Sequence, residues 1–512
     1  MNGGDVTEEA GEPVPESLWL ATTSSTEYEP LPGDRRVDTA IVGGGIVGLT
    51  AAIRLKEAGH EVAVIETGRV VEGVTGHTTA KLTSQHGLRY DRLCSTFGRE
   101  YARQYATANE AAIDAVERRV EEDGIECDFR RTEAYVYTES RSDGSDLLDE
   151  TRAARRLGLP ASYTETTPLP FDVEGAIRFD EQAEFHPRKY LLALAAAVDG
   201  DGSSVFETTR ALDIDPGRQP RVTTDRGVVV ADQVIVASHF PFFDRGGYFA
   251  RVHPKRAYLL AVRISGEPPE GMFYSTATPP ATIRGAPVDG ERLLIVGGQG
   301  HEPGLDGPAT SERYRRCEAF ARERFEVESV EYRWSTHDLS PVDGVPFVGR
   351  LGPTTRNVYV GTGFDGWGMT GGIAAGTILA DLIVNGSSPW ADVFDPNRFT
   401  PAASAKALVE DNALVAARFL GDRIRTALAG SGTLPSPGEG TVVRQGGKPV
   451  AVSRGEDGEL HAVSAVCPHM WCLVEWNDAE RTWDCPCHGS RFDPDGTVRS
   501  GPALEDLTDR SG

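Results

Sequence analysis

Two short boxes near the C-terminal end of the chain carry residue types that bind transition metals. The first reads Cys467-Pro-His469-Met-Trp-Cys472 and the second Cys485-Pro-Cys487-His488-Gly489-Ser490. Each offers a cysteine followed by a histidine, Cys467 with His469 and Cys485 with His488. Their spacing puts one pair on each of two facing hairpin loops. Thiolates and imidazoles serve a structural zinc ion, and they also serve a [2Fe–2S] cluster, which needs four ligands. Replacing two thiolates by neutral imidazoles on one iron lowers the cluster's negative charge. Its potential then rises to between about −150 and +300 mV. Two boxes at this spacing in an all-β setting favour the cluster over zinc.

Through both boxes and the glycine-rich stretch around them, this segment resembles the Rieske family. The resemblance implies that Cys467 and Cys485 bind the buried iron, and His469 and His488 the outer one. It also implies a disulfide between Cys472 and Cys487, the pair that joins the two loops in the respiratory, electron-transfer branch. Rieske oxygenases generally lack that pair. Ser490 matches the hydroxyl that hydrogen-bonds a bridging sulfide. Where high-potential members carry a tyrosine that donates to a ligand sulfur, this chain has Phe492. One donor fewer removes stabilisation of the reduced, more negative state. A potential below that of respiratory Rieske proteins follows.

A second constellation lies near the other end. Gly43-x-Gly45-Ile46-Val47-Gly48 follows the apolar stretch Arg36–Val42 and opens a helical pattern that Gly59 stops. Glycines at this spacing allow the tight turn, let backbone amides approach a pyrophosphate, and let helix pack on strand. Glu61–Glu66 reads as the next strand. Glu66, eighteen residues past Gly48 and followed by Thr67, is placed to accept from a ribose hydroxyl. A dinucleotide site follows from the full strand, turn, helix and strand context.

FAD and NAD share this turn, and the discriminator is the stretch Thr362-Gly363-Phe-Asp-Gly366-Trp367-Gly368-Met369-Thr370-Gly-Gly with its following helix. Residues 37–385 resemble the D-amino-acid oxidase-like family, which includes glycine and sarcosine oxidases. The resemblance implies FAD, with the helix start aiming its amides and positive dipole end at the flavin's pyrimidine oxygen. Gly363, Gly366, Trp367, Gly368, Met369 and Thr370 are the matching positions. Val234–Ser238, with Ala237, matches the strand behind the adenosine, and Ala80 belongs to the loop packed against the flavin. Catalytic candidates are Lys81, near the reactive ring nitrogen, Arg256 and Tyr258, which could orient a substrate carboxylate, and His337. A solvated or ion-paired lysine, a core tyrosine and a surface arginine are the plain alternatives. No nicotinamide fingerprint is convincing: Gly298-Gln-Gly300 is followed too soon by Pro303.

These residues need a framework to hold them. The expected fold is an α/β FAD-binding Rossmann-like domain with an interleaved α+β substrate domain, plus a C-terminal all-β Rieske domain. The spans are a flexible tail over 1–35, the oxidoreductase over 36–385, a connector with a helix over 386–440, and the Rieske domain over 441–512. Cofactor-binding parts fall at about 36–90, 175–240 and 335–385, with substrate-domain parts at 90–175 and 240–335. Cys94, Cys127 and Cys317 are scattered and read as ordinary thiols.

The chain has 512 residues and a net charge of −25, with only six lysines among 52 basic residues. Acidic excess with scarce lysine resembles a proteome adapted to high salt. Its field repels nucleic acid and anionic lipid, which are excluded as partners. No apolar run reaches the length of a membrane span, and no secretory leader is evident. A cytoplasmic enzyme is expected.

Joined on one chain, a hydride-accepting flavin and a one-electron cluster form a splitter. The whole chain resembles a bacterial and archaeal family of FAD-dependent oxidoreductases with a C-terminal Rieske domain, through Ser17-Leu-Trp19, Phe185-His-Pro187 and Ser340-Pro-Val-Asp-Gly344 as well. The resemblance implies an enzyme that dehydrogenates a small amine or amino acid and passes electrons singly to the cluster. A one-electron acceptor protein or quinone would take them onward. The alternative is a reductase component supplying a partner oxygenase or ferredoxin.

Overall fold

A computed structural model of the chain describes residues 15–303, 309–398, 400 and 434–510. The apolar strand Arg35–Val42 lies at the centre of a mostly parallel sheet, between Gly227–Val236 on one side and Val62–Ile65 on the other. Ser204–Phe206 extends the sheet beyond Val62–Ile65, and Val358–Thr362 with Phe347–Arg350 extends it beyond Gly227–Val236. A strand buried on both faces needs a continuous apolar run, and Ala40, Ile41, Val64 and Ile235 are fully enclosed.

The helix Ile46–Glu57 covers this sheet and packs on the helix Gly368–Val384. Glycine spacing allows that contact. A Cβ on Gly372 would stand 2.6 Å from Ile46 Cγ2, and one on Gly376 would stand 2.6 Å from Thr50 Cβ and 2.9 Å from the Ala51 nitrogen. Only glycine lets the two backbones come this close.

The second layer is a nine-stranded, largely antiparallel sheet. It runs from Val327–Pro341 through Val252–Ile264, Glu291–His301, Thr282–Val288, Met272–Ser275, Arg130–Thr138 and Gly175–Glu184 to Lys81–Leu82, with Ala161–Thr164 beside Gly175–Glu184. Two segments assigned from sequence to the cofactor half, Gly175–Glu184 and the stretch 335–341, thus belong to the antiparallel sheet. Their alternation alone could not say which sheet they would join.

The N-terminal stretch read as a flexible tail is anchored from Ser17 on. Ser17 caps the helical turn Leu18–Ala21, and the buried Trp19 indole donates to the Thr78 carbonyl at 2.7 Å. Residues 1–14, the expected helix over 402–428 and the linker up to 433 lie outside the described residues.

From Gly440 the chain is all β. Gly440–Gln445, Lys448–Arg454 and Leu460–Ser464 form one small antiparallel sheet, and Glu475–Asn477, Thr482–Asp484, Arg491–Phe492 and Val498–Ser500 form another. Their shared core holds Trp483, Phe492, Cys467 and Cys485. Among the described residues, no helix is long and apolar enough to cross a membrane.

Substituting Gly376→Ala forces Thr50 and the Ala51 backbone aside. Overpacking of this kind costs about 1–3 kcal/mol, so the unfolding midpoint of the variant falls; an unchanged midpoint contradicts the close contact.

Candidate active site and metal centre

The glycine turn is built by backbone crowding. A Cβ on Gly43 would lie 2.4 Å from the Ala237 carbonyl oxygen, and one on Gly48 would lie 2.0 Å from that of Gly43. The Glu66 carboxylate folds over the turn and accepts from the amides of Gly44 at 2.8 Å and Gly68 at 3.0 Å. Burial pushes its pKa up against the opposing pull of those amides.

Below the turn opens a cavity of about 1670 Å³. Glu66, Thr67, Gly43, Gly45, Ile46, Val47 and Ala237 line one stretch of it, and Gly366, Trp367, Gly368 and Met369 line another. The other expected cofactor positions support it from behind. Gly48 sits under Gly43, Ala80 is fully buried at φ +57°, and Gly363 packs on Pro341. Thr370 Oγ1 clamps the Thr83 backbone, accepting from its amide and donating to its carbonyl, both at 2.8 Å. The space exceeds the roughly 300–1,000 Å³ of ordinary small-molecule pockets. A glycine turn without side chains at one part and a helix start at another fit the phosphates and ring of FAD.

Around Trp367 the wall becomes aromatic and titratable. His86 stacks on Trp367 with centroids 4.8 Å apart, and Tyr274 meets its ring edge-on at 5.2 Å. Lys81 is buried and donates to the Phe273 carbonyl and Thr282 Oγ1. Burial and then the nearby Arg284 hold its pKa well below the usual lysine range, against the pull of Glu184. Asp338 faces the same cavity, where burial and then Asp365 push its pKa up to about 7, against the amides of Leu339 and Gly366. Asp365 itself pairs with Arg89 at 2.8 Å and Lys255 at 3.2 Å. His86, Tyr274, Asp338 and Asp365 are not among the residues expected from sequence because they converge from separate elements. The local signals are that Asp338 adjoins His337 and that Asp365 lies within the stretch Thr362–Gly366.

The two C-terminal boxes form tight facing turns. In the first, the Cys467 amide donates to Cys472 O at 2.9 Å; in the second, the Cys485 amide donates to Ser490 O at 2.7 Å. Cys472 and Cys487 are joined by a disulfide between the two turns. The thiols of Cys467 and Cys485 meet, and the Cys485 thiol lowers the pKa of Cys467, aided by the His469 and Met470 amides and Ser490. The His469 and His488 rings lie 4.9 Å apart, and both Nδ1 atoms are buried without a hydrogen-bond partner. Two adjoining sulfurs and two orphaned ring nitrogens are the donor set of a [2Fe–2S] cluster with mixed ligation, so these residues fit it.

The second box meets the cavity wall through one side chain. The His337 imidazole lines the cavity and abuts Gly489, where a Cβ would stand 2.0 Å from His337 Cε1. His239 packs edge-on to His337 at 5.2 Å, and Phe240 touches the rings of both His469 and His488. Arg256 also reaches the cavity wall, yet its guanidinium pairs with Asp484, one residue before Cys485. Asp484 pairs in turn with Arg491 at 3.1 Å, and Arg491 with Glu480. Burial opposes ionisation of Glu480, but Arg491 and Arg256 hold it down at about 2. Tyr258 does not reach the cavity. It is fully buried against Tyr314, with its hydroxyl 3.0 Å from His301 Nε2.

This fold and this pair of sites define a flavoprotein oxidoreductase fused to an iron–sulfur domain. The FAD dependent oxidoreductase family model matches residues 38–382 and the Rieske [2Fe-2S] domain model residues 425–509. The chain belongs to the FAD dependent oxidoreductase family and carries a Rieske domain, with FAD and a [2Fe–2S] cluster as its cofactors. It is 38% identical over 496 residues to YhfW of Bacillus subtilis, named as a Rieske 2Fe-2S iron-sulfur protein, covering 96% of this chain and 97% of that one. It is 24% identical over 367 residues to gamma-glutamylputrescine oxidoreductase of Escherichia coli, covering 68% and 83%. The glycine oxidase of Geobacillus kaustophilus shares the fold, with a TM-score of 0.60 and 20% identity over 71% of this chain and 99% of that one.

Two outcomes follow. A hydroxyl at position 492, inside the core that holds Cys467 and Cys485, adds a donor that favours the reduced cluster. Phe492→Tyr therefore raises the midpoint potential in an EPR-monitored redox titration; an equal or lower midpoint refutes the assignment. Asp338 keeps its proton in the folded state up to pH about 7, where the unfolded chain loses it near its ordinary 3.8. The folded state binds the extra proton between these values, so Asp338's contribution to stability declines across that window and levels off above it. In Asp338→Asn this part of the pH dependence of the unfolding midpoint disappears.

Proposed function

We propose that this chain dehydrogenates a small amine or amino acid at a C–N bond and delivers the electrons one at a time to the Rieske cluster. The observation that carries the reading is the shared wall: His337 borders the flavin cavity on one side and Gly489, next to His488, on the other. When bound, FAD supplies a two-electron hydride acceptor and the cluster a one-electron carrier. Trp367, Tyr274 and His86 form an aromatic wall that excludes water from the reacting bond. The buried Lys81 amine, biased toward its neutral form, takes the proton that a substrate ammonium must lose before hydride can leave. The name of the Escherichia coli relative, gamma-glutamylputrescine oxidoreductase, supports an amine substrate. The disulfide of the boxes supports an electron-transfer domain that passes electrons onward to an acceptor protein or quinone.

The test is anaerobic stopped flow across a panel of amines and amino acids. Flavin bleaching followed by cluster reduction is expected for at least one compound. Lys81→Met should slow bleaching roughly a hundredfold or more while the flavin stays bound. A flavin that no amine reduces, but that exchanges electrons with ferredoxin, would replace this reading with that of a reductase component.

A further inference from the structure

The Rieske domain contributes directly to the lining of the cavity. Arg491 and the segment from Val498 to Leu504 line the same continuous space as Gly43, Glu66 and Thr67. On the oxidoreductase side Arg210, also in the wall, reaches the Leu504 carbonyl at 3.4 Å. A loop of one domain therefore lines the same cavity as the dinucleotide-binding turn of the other.

A separate contact fixes this arrangement away from the cavity. The helix Thr310–Arg324 begins at Ala309, which makes no side-chain cap. A helix start without a cap leaves amides unsatisfied. Asp478 of the Rieske domain supplies the missing acceptor, taking hydrogen bonds from Thr310 Oγ1 and from the Ser311 amide at 3.3 Å. Thr310 Oγ1 also lies 2.7 Å from Asn477 Oδ1 and accepts from the Ala479 amide at 3.1 Å, and the Tyr314 hydroxyl donates to Glu480 at 3.1 Å. Neither Thr310 nor Ser311 borders the cavity.

We propose that the Rieske domain is a wall of the FAD site, so that FAD retention and docking of the two domains stabilise each other. A ligand held between two bodies favours their joined state, and by linkage the joined state holds the ligand more tightly by the same factor. The coupling involves neither substrate nor electron transfer, and it stands or falls independently of the function proposed above.

Hydrogen exchange on the full chain tests it, comparing FAD-loaded with FAD-stripped protein. Removing FAD should speed exchange of the Ser311, Glu312 and Arg313 amides by roughly 5- to 150-fold, the usual range of such coupling. The helix Arg99–Asp123, on the same domain and also outside the cavity, should not change. Equal exchange at residues 311–313 with and without FAD overturns the proposal, as does an equal rise in both helices, which would mean general loosening. In a second arm, Asp478→Ala weakens the remote contact and leaves the cluster ligands in place. It should release FAD faster on dilution by a similar factor, with the cluster's visible spectrum unaltered. Unchanged release from a variant whose helix start exchanges faster overturns the proposal as well.

Discussion

Two arginines and two carboxylates meet where the domains join. Arg256 comes from the antiparallel sheet, while Asp484, Arg491 and Glu480 come from the Rieske domain. Their charges cancel, and Arg256 is only 4% exposed. Buried ion pairs contribute little net stability, because desolvation offsets most of the attraction, yet removing one partner strands a charge at a cost of about 3–5 kcal/mol. The arrangement thus acts as a register. It tolerates one relative placement of the domains and penalises the rest, and that placement sets Gly489, next to His488, against His337 at the edge of the flavin cavity. Arginine suits this work, since its planar fork engages several carboxylate oxygens at once. A chain with only six lysines among 52 basic residues has arginine in abundance for such contacts.

The same constraint reassigns Arg256. At the sequence level it was a candidate for holding a substrate carboxylate. In the folded chain its charge is satisfied by Asp484, while the buried Lys81 amine of the cavity wall hydrogen-bonds the Phe273 carbonyl and Thr282 Oγ1. Tyr258, two residues on, turns into the core between Tyr314 and His301. The irregular pairing between Arg256 and Tyr258 separates the two environments.

Legibility in the sequence follows the distance over which each feature is encoded. The glycine turn, the strand Arg35–Val42, the helices Ile46–Glu57 and Gly368–Val384, and both Cys/His boxes were readable because their spacing and local geometry lie within a few turns of chain. The anchoring of Ser17–Trp19 was not, because Trp19 is buried by residues far along the chain, including Arg284 over its ring. Membership of Gly175–Glu184 in the antiparallel sheet was hidden as well, because register with Arg130–Thr138 depends on a partner strand some forty positions away.

By itself, the sequence determined which cofactors this protein holds, because a phosphate cradle and a cluster cage are short-range constructions of glycine, cysteine and histidine. Only the tertiary structure decided that the two sites share one cavity wall. That outcome depends on pairing across more than two hundred residues, Arg256 with Asp484, where burial makes the match of charges selective and local spacing carries no trace of it.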